Sequence, residues 1–232
     1  MDPRQLFVDE RLTGFCAYCG AAPESGDHCP SKVLLDEPFP PNLPVVDACA
    51  DCNNHLSLDE QYVACLIETV ICGSANPDDV SRPKIKRILT DTPRLARSLQ
   101  NGRQLDESGS LVWDVDLDAV IRVVLKLARG HIAYEIGLPK IEEPDVVRFA
   151  PLILMSVEQR SQFESPGSRS LEPWPEIGSR AFIRAAKNTP NPDLTEWTVV
   201  QPGRYRYLVG QSDGDSVRLV LSEYLACQVI WH

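Results

Sequence analysis

The sequence predicts an α+β protein in which a zinc-stapled N-terminal module precedes helices and a C-terminal antiparallel β-sheet. Three observations support this fold class. Two Cys-x-x-Cys pairs stand within the first 57 residues, where helical periodicity is weak. Helical patterns then extend to about residue 136, and after residue 145 short apolar segments alternate with Pro, Gly and Asp turns. We divide the chain into a module of residues 1–75 and a second domain of residues 76–232.

The first elements follow from local signals. The segment LPVV at residues 43–46 predicts a short strand before the second cysteine pair. Ser57, with Glu60 three residues later, has the form of a capping box and predicts that a helix begins there and runs to about residue 71. We interpret Asp59 and Glu60 as the acidic first turn of this helix, where negative charge is favourable.

Further helices and strands are predicted downstream. Residues 83–100 predict a second helix and residues 116–136 a third, with Asp116 or Asp118 as the N-terminal acid and Gly137 as the stop. We interpret His131 of the third helix as a packed residue and not as a ligand. The remaining sequence predicts strands at VVRFAPLIL, WTVV, RYRYLVG, SVRLVL and CQVIW, with SDGD at residues 212–215 as a hairpin turn.

The charge of the chain is segregated. The net charge is −10, yet residues 82–103 carry seven basic residues and one acid, whereas residues 1–80 carry 14 acids and three bases. Such a basic stripe is either a solvated helix face or a surface for a nucleic-acid backbone. We predict the second, and the candidate phosphate contacts are Lys32, Lys84, Lys86, Arg87, Arg94 and Arg97.

Location and cysteine chemistry are linked. No apolar run approaches the roughly 18–20 residues that span a bilayer. The first residues, MDPRQLFVDERL, lack the apolar stretch of a signal peptide, so we expect a cytoplasmic protein with no membrane partner. In that compartment cysteines are more often free thiols or metal ligands than disulfides. Those outside the Cys-x-x-Cys pairs are expected to be buried thiols: Cys29, Cys65, Cys72 and Cys227.

The two Cys-x-x-Cys pairs, with 29 residues between them, predict a zinc site. Four thiolates at about 2.3 Å satisfy the tetrahedral preference of zinc, and a site closed in this way is structural. It holds together a polar, proline-rich segment. The predicted zinc ligands are Cys16, Cys19, Cys49 and Cys52.

This staple draws together residues suited to a second metal. Asp27 and His28 lie between the cysteine pairs, and Asn53 directly follows the last zinc cysteine. A carboxylate and an amide carbonyl are hard oxygen ligands that suit Mg²⁺ or Mn²⁺. A neutral histidine has a pKa near 6.5, which suits a proton acceptor around pH 7–8.

Four segments together resemble the HNH (ββα-metal) endonucleases, in the branch with two zinc knuckles. They are CAYCG (16–20), GDHCPSK (26–32), PPNLPVV (40–46) and CADCNN (49–54). The resemblance covers roughly residues 14–72. It implies a strand–strand–helix module that hydrolyses phosphodiester bonds with one catalytic divalent metal ion.

The resemblance also implies a role for each matching residue. Asp27 and Asn53 would hold the catalytic ion, His28 would be the general base, and Asn42 would orient His28. Family members ending in CxxCH use a terminal histidine on the metal, whereas this chain has Asn53 there, with Asn54 and His55 next to it. Which of these three side chains contacts the metal stays open.

The resemblance predicts a nucleic-acid partner, and on family grounds that partner is DNA; the sequence itself does not discriminate DNA from RNA. Restriction or phage defence is the role expected of such an enzyme. The alternative is a zinc-ribbon binding module without catalysis, which the net charge of −11 over residues 1–80 favours. A toxin-like nuclease blocked by a basic partner, a homo-oligomer and a regulatory protein partner all stay open.

Overall fold

The structure is a computed structural model, and it describes residues 14–137, 139–165, 197–211 and 214–232. Within these ranges the chain forms five α-helices and three antiparallel sheets. The predicted α+β class and the C-terminal antiparallel sheet are therefore confirmed. No helix in these ranges combines the length and apolar character needed to cross a bilayer.

The N-terminal region is a hairpin followed by a long helix. Strand β1 (Ser25–His28) pairs antiparallel with β2 (Val45–Ala48), so that Asp27 lies opposite Val46. Helix α1 (Ala50–Cys72) follows directly. The order strand, strand, helix agrees with the predicted order of elements.

Helix α1 begins eight residues earlier than predicted, with Cys49 and not Ser57 as its N-cap. The Cys49 Sγ accepts a hydrogen bond from the Cys52 N–H at 3.4 Å. Ser57 lies inside the helix and donates to the carbonyl of Asn54 at 2.7 Å. The prediction of a capping box at Ser57 is therefore wrong, because a cysteine sulfur takes the role that Ser, Thr, Asp or Asn usually has.

The predicted helix over residues 83–100 is two helices. Helix α2 (Pro83–Asp91) ends at Thr92, and α3 (Pro93–Asn101) begins with a proline. Pro93 has no N–H to donate and disfavours helical geometry in the residue before it, so the backbone turns at Thr92. A small hairpin that was not predicted follows, formed by β3 (Arg103–Leu105) and β4 (Leu111–Trp113).

The third predicted helix is confirmed, and so are the residues at which it begins and ends. Helix α4 (Leu117–Ile136) has Asp116 as N-cap, whose Oδ1 accepts from the Ala119 N–H at 3.0 Å. Gly137 ends it in the left-handed conformation with a φ of 88°. Both signals are local, so sequence alone was sufficient to find them.

The C-terminal sheet has five antiparallel strands: β5 (Val146–Pro151), β6 (Thr198–Gln201), β7 (Tyr205–Gly210), β8 (Asp215–Leu221) and β9 (Leu225–Trp231). Their spatial order is β5-β9-β8-β7-β6. Each strand predicted after residue 145 lies in this sheet, except that the end of the predicted segment VVRFAPLIL, Leu152–Leu154, forms a 3₁₀ helix. Strands β7 and β8 pair as expected, and Ser212 and Asp213 of the predicted turn lie outside the described residues. Helix α5 (Val157–Glu164), with a capping box at Ser156, was not predicted.

Helix α4 lies between α1 and the C-terminal sheet, and the main apolar core forms around it. This core includes Cys29 and Leu35 from before the predicted boundary at residue 75, together with residues as late as Trp231. At Gly130 of α4 the backbone approaches Cys29 so closely that an added Cβ would lie 2.6 Å from its Sγ. The hairpin, the helix and the sheet are thus packed against one another.

The predictions for the isolated cysteines are confirmed in three of four cases. Cys29, Cys65 and Cys227 are buried. Cys72 is exposed, because it is the last residue of α1, where its Sγ donates to the carbonyl of Ser74 at 3.0 Å.

Candidate functional site

The four cysteines of the two pairs meet in one cluster. Their Sγ atoms all lie within 4.8 Å of one another, and those of Cys19 and Cys49 are 3.7 Å apart. A tetrahedral zinc ion with Zn–S bonds of 2.3 Å would hold its sulfurs about 3.8 Å apart. The cluster of Cys16, Cys19, Cys49 and Cys52 therefore fits the predicted structural zinc.

This cluster fixes the start of α1 against the hairpin. The Ala17 N–H donates to the Asp47 carbonyl at 2.8 Å, and the Ala50 N–H donates to the Glu24 carboxylate at 2.8 Å. Asn53, in the first turn of α1, donates from Nδ2 to the Ser25 hydroxyl at 3.1 Å. Since alternate residues of a strand share a face, Asn53 lies beside the face of β1 that carries Asp27.

The carboxylate of Asp27 is held inside the protein. The Tyr18 hydroxyl donates to its Oδ2 at 2.9 Å, and the Lys126 ammonium contacts the same oxygen at 2.8 Å. Lys126 comes from the middle of α4 and is itself buried. Its Nζ also lies 2.8 Å from Oε1 of Glu60 in α1, so one ammonium joins two carboxylates from two other elements.

Lys126 stays charged in this setting. Burial alone would lower the pKa of its ammonium, but Glu60 and Asp27 together raise that pKa above its usual value. The Nζ also lies 5.5 Å from the ring centroid of Tyr18, on the attractive face of the aromatic system. Burial raises the pKa of the Glu60 carboxyl, against the opposing effect of Lys126.

Sequence reasoning missed this cluster. Glu60 was interpreted as a helix-terminal acid, but it is buried and paired, and Asp59 pairs instead with exposed Arg122 at 2.7 Å. A signal did exist for Lys126, because it interrupts the apolar segment VVLKLA of α4. A lysine at such a position is rarely buried unless it is paired.

His28 follows Asp27 and therefore points to the other face of β1. Its side chain is half-buried, and its Nδ1 is buried. Burial lowers the pKa of the imidazole and the charge of nearby Lys32 lowers it further, against the opposing effects of Asp27 and of a hydrogen bond with the Pro44 backbone. His28 is therefore neutral at pH 7 and able to accept a proton.

The remaining residues of the predicted catalytic set are less closely joined. Asn42 lies in an exposed turn before β2, and no hydrogen bond connects it to His28 within the described ranges. Asn54 and His55 are exposed near the start of α1. The orienting role of Asn42 and the choice among Asn53, Asn54 and His55 stay predictions.

The donor atoms around Asp27 and Asn53 suit a hard divalent ion. Among the described residues, the side-chain contacts of Asp27 use Oδ2 and that of Asn53 uses Nδ2. One carboxylate oxygen and one amide oxygen are thus left for Mg²⁺ or Mn²⁺, which prefer such ligands. The Lys126 ammonium would oppose such an ion by its charge, while its contact holds the carboxylate in place.

The predicted basic stripe separates into groups. Lys32 and Lys84 lie over the ring of Phe39, with Nζ to centroid distances of 5.6 and 4.9 Å. Lys86 instead pairs with Asp78 at 2.9 Å. Arg94 and Arg97 lie on α3 and are exposed, whereas Arg87 lies on α2 with Lys84.

Comparison of the chain with protein-family models, with curated proteins and with solved structures gives no match. The site must therefore be interpreted from its own residues.

Proposed function

We propose that this protein is a metal-dependent HNH-type endonuclease of the cytoplasm, which hydrolyses phosphodiester bonds in nucleic acid, with DNA as the expected substrate. The observation that carries the proposal is a neutral, half-buried His28 at the end of β1, close to the cation of Lys32. The strand–strand–helix order and the cysteine cluster that fits zinc support it.

His28 would act as the general base. Because its Nδ1 is buried, Nε2 is the nitrogen that a water molecule can reach, and Nδ1 then carries the hydrogen of the neutral ring. His28 would take a proton from the attacking water at Nε2, and its lowered pKa keeps it ready to do so at neutral pH.

Asp27 and Asn53 would hold the Mg²⁺ or Mn²⁺ ion. Such an ion, when bound, supplies positive charge against the negative charge that develops on the phosphate oxygens and the leaving oxygen. Tyr18 and Lys126 keep Asp27 in one position through its Oδ2. Holding a ligand in place before the ion arrives lowers the ordering required on binding.

The substrate must approach an acidic module. Residues 1–80 carry a net charge of −11, which repels phosphate. Lys32, with Lys84 and Arg87 from α2, places cations on the approach to His28. These side chains would bind the nucleic-acid backbone and offset the repulsion.

A plasmid nicking assay tests the proposal. Wild type is compared with His28→Ala, with His232→Ala as the control, because His232 is an exposed histidine outside the N-terminal module. Lanes contain Mg²⁺, Mn²⁺ or EDTA, and single-stranded DNA and RNA are parallel substrates. We expect metal-dependent nicking that falls by about 10²–10⁴-fold in His28→Ala and stays near wild type in His232→Ala.

The proposal is wrong if His28→Ala nicks as fast as wild type. It is also wrong if zinc-loaded wild type cleaves none of the substrates with either metal. A role in restriction or phage defence depends on a positive result here.

A second candidate function is a zinc-ribbon binding module that does not cleave. The pairing of Asp27 with Lys126 favours it, because part of the predicted metal ligand is already bound to a cation. In that case zinc-loaded protein would bind nucleic acid or a protein partner with no cleavage, and His28→Ala would bind as well as wild type.

A further inference from the structure

A cavity of about 570 Å³ lies where α2 begins, next to the loop at residues 36–37 and to Arg204, which precedes β7. Its walls come from parts of the chain that are far apart in sequence. Four basic side chains line it, Arg82, Lys84, Arg87 and Arg204, together with Asp36 and Glu37.

Two of these cations belong to the wall itself. The buried Arg82 donates from Nε to Asp36 at 2.7 Å and from Nη2 to the carbonyls of Val33 and Leu35. Arg204 pairs with the same Asp36. These contacts join the parts of the chain that form the wall, and the two guanidinium groups offset the charge of the Asp36 carboxylate, which would otherwise repel an anion.

The other two cations of the lining, Lys84 and Arg87, together with Lys32 beside the cavity, form what we call the basic cluster. Within the described part of the chain, none of the three forms an ion pair with a carboxylate. Lys84 donates from Nζ to the Lys32 carbonyl at 2.8 Å, and both ammonium groups lie over Phe39.

This crowding of like charges is unfavourable in the free protein. Burial lowers the pKa of Lys84, and the neighbouring charges of Arg82, Arg87 and Lys32 lower it further, against the opposing effect of Glu37. A bound anion would relieve the repulsion between the three cations. The arrangement is therefore suited to a ligand that carries negative charge.

We propose that this cavity binds a backbone phosphate of a nucleic-acid strand, through Lys32, Lys84 and Arg87. A guanidinium can bind two phosphate oxygens at once, and the two ammonium groups act as point charges beside it. The ring of Phe39 offers an apolar face to the adjoining sugar or base. The charge of Lys32 acts on the His28 imidazole, so the two side chains are neighbours and the same nucleic-acid strand would continue past His28.

The position of this phosphate rests on the proposed function of His28, but binding in the cavity does not depend on cleavage. Fluorescence anisotropy with the full-length zinc-loaded His28→Ala protein measures that binding without turnover. The probe is a fluorescein-labelled 20-nucleotide single strand of DNA, with duplex DNA and RNA of the same length as further arms. No Mg²⁺ or Mn²⁺ is added.

The test compares two double substitutions that remove the same charge. Lys84→Gln/Arg87→Gln changes the cavity, and Arg94→Gln/Arg97→Gln changes exposed arginines of α3 outside its lining. We expect the cavity variant to bind about tenfold more weakly than the control variant. We also expect the slope of log affinity against log salt to fall by about 1.4 for two lost contacts to a single strand.

Equal weakening in both variants, or none in either, would overturn the cavity site and leave only diffuse attraction. Displacement of the probe by a 20-residue polyglutamate at the same charge concentration would overturn the assignment to nucleic acid. If the cavity variant alone loses binding while wild type nicks no substrate, the cavity stands and the proposed catalysis fails.

Discussion

Two regions of this molecule are held together by different means. The hairpin and the cysteine cluster have a small buried group of their own, which consists of Cys16, Ala17, Tyr18, Val46, Ala48 and Cys49. The C-terminal sheet instead shares the main core with α1 and α4. The stability of the first region therefore depends on the four-cysteine cluster and on charged contacts, whereas that of the second depends on apolar burial.

Helix α4 contacts both regions and presents a different side chain to each. Lys126 is paired with carboxylates of the hairpin and α1. His131, five positions later, meets the sheet: its Nε2 lies 2.8 Å from the Tyr205 hydroxyl, and its ring stacks on Tyr207 at 3.7 Å. Burial lowers the pKa of His131 to about 3.

The comparison shows how the partner decides whether a buried base is charged. Two carboxylates 2.8 Å away keep Lys126 as an ammonium. The phenol side chains beside His131 carry no such charge, so burial determines the pKa of this histidine and keeps it neutral. Three experiments test this contrast between the N-terminal region and the C-terminal sheet.

The largest effect is expected from loss of the cysteine cluster. Cys19→Ser removes one of the four thiolates and should lose the one zinc ion per chain expected of the cluster. The effect should be large, because the apparent free energy of zinc binding in such sites reaches about 10–16 kcal/mol and contributes to folding. Hydrogen–deuterium exchange should then show loss of protection in peptides from residues 14–57 and retained protection in residues 205–231. Cys72→Ser, an exposed cysteine outside the cluster, is the control. Equal loss of protection in both regions would contradict the contrast.

The next effect concerns the buried ammonium. Lys126→Met leaves Asp27 and Glu60 buried without their cation, and the free energy of unfolding should fall by about 3–5 kcal/mol. Arg122→Met is the matched control on the same helix, since Arg122 is exposed and its pair with Asp59 should contribute far less to stability. Urea denaturation at pH 7 measures both, and similar losses would show that burial of the pair does not matter.

The smallest effect is a pH dependence from His131. Its pKa is lower in the folded than in the unfolded state, so the unfolded state takes up the proton first and stability falls as pH drops below about 6.5. Between pH 7 and 5 this residue should contribute a loss of about 2 kcal/mol. Urea midpoints should therefore fall less with acid in His131→Gln than in wild type, and parallel falls would contradict a neutral buried His131.

Signals within one element were sufficient to predict much of this fold. The ends of α4 follow from Asp116 and Gly137, and the apolar segments after residue 145 became the strands of the sheet. The start of α1 was missed because Cys49 has a capping role that its residue type does not suggest. The break between α2 and α3 follows from Pro93, although the helical pattern continues on both sides of it.

The candidate site was less accessible from sequence, because its contacts join distant parts of the chain. The spacing of the cysteines predicted their cluster, since the ligands come in adjacent pairs. Nothing local connects Lys126 to Asp27, or Arg204 to Asp36, and only the packing of α4 and the sheet brings them together. The sequence showed that residues 82–103 are basic. It did not show that the basic residues of α2 line a cavity while those of α3 are exposed, because this depends on how the two helices are oriented.

Gly130 has a consequence for how this sequence can change. A glycine inside a helix is unfavourable by about 1 kcal/mol relative to alanine, so drift alone would tend to replace it. Here a single methyl group would collide with Cys29, the neighbour of His28. One absent carbon atom thus lets α4 lie against the residue that follows β1, and any variant that gains this atom must move the Cys29 side chain or α4.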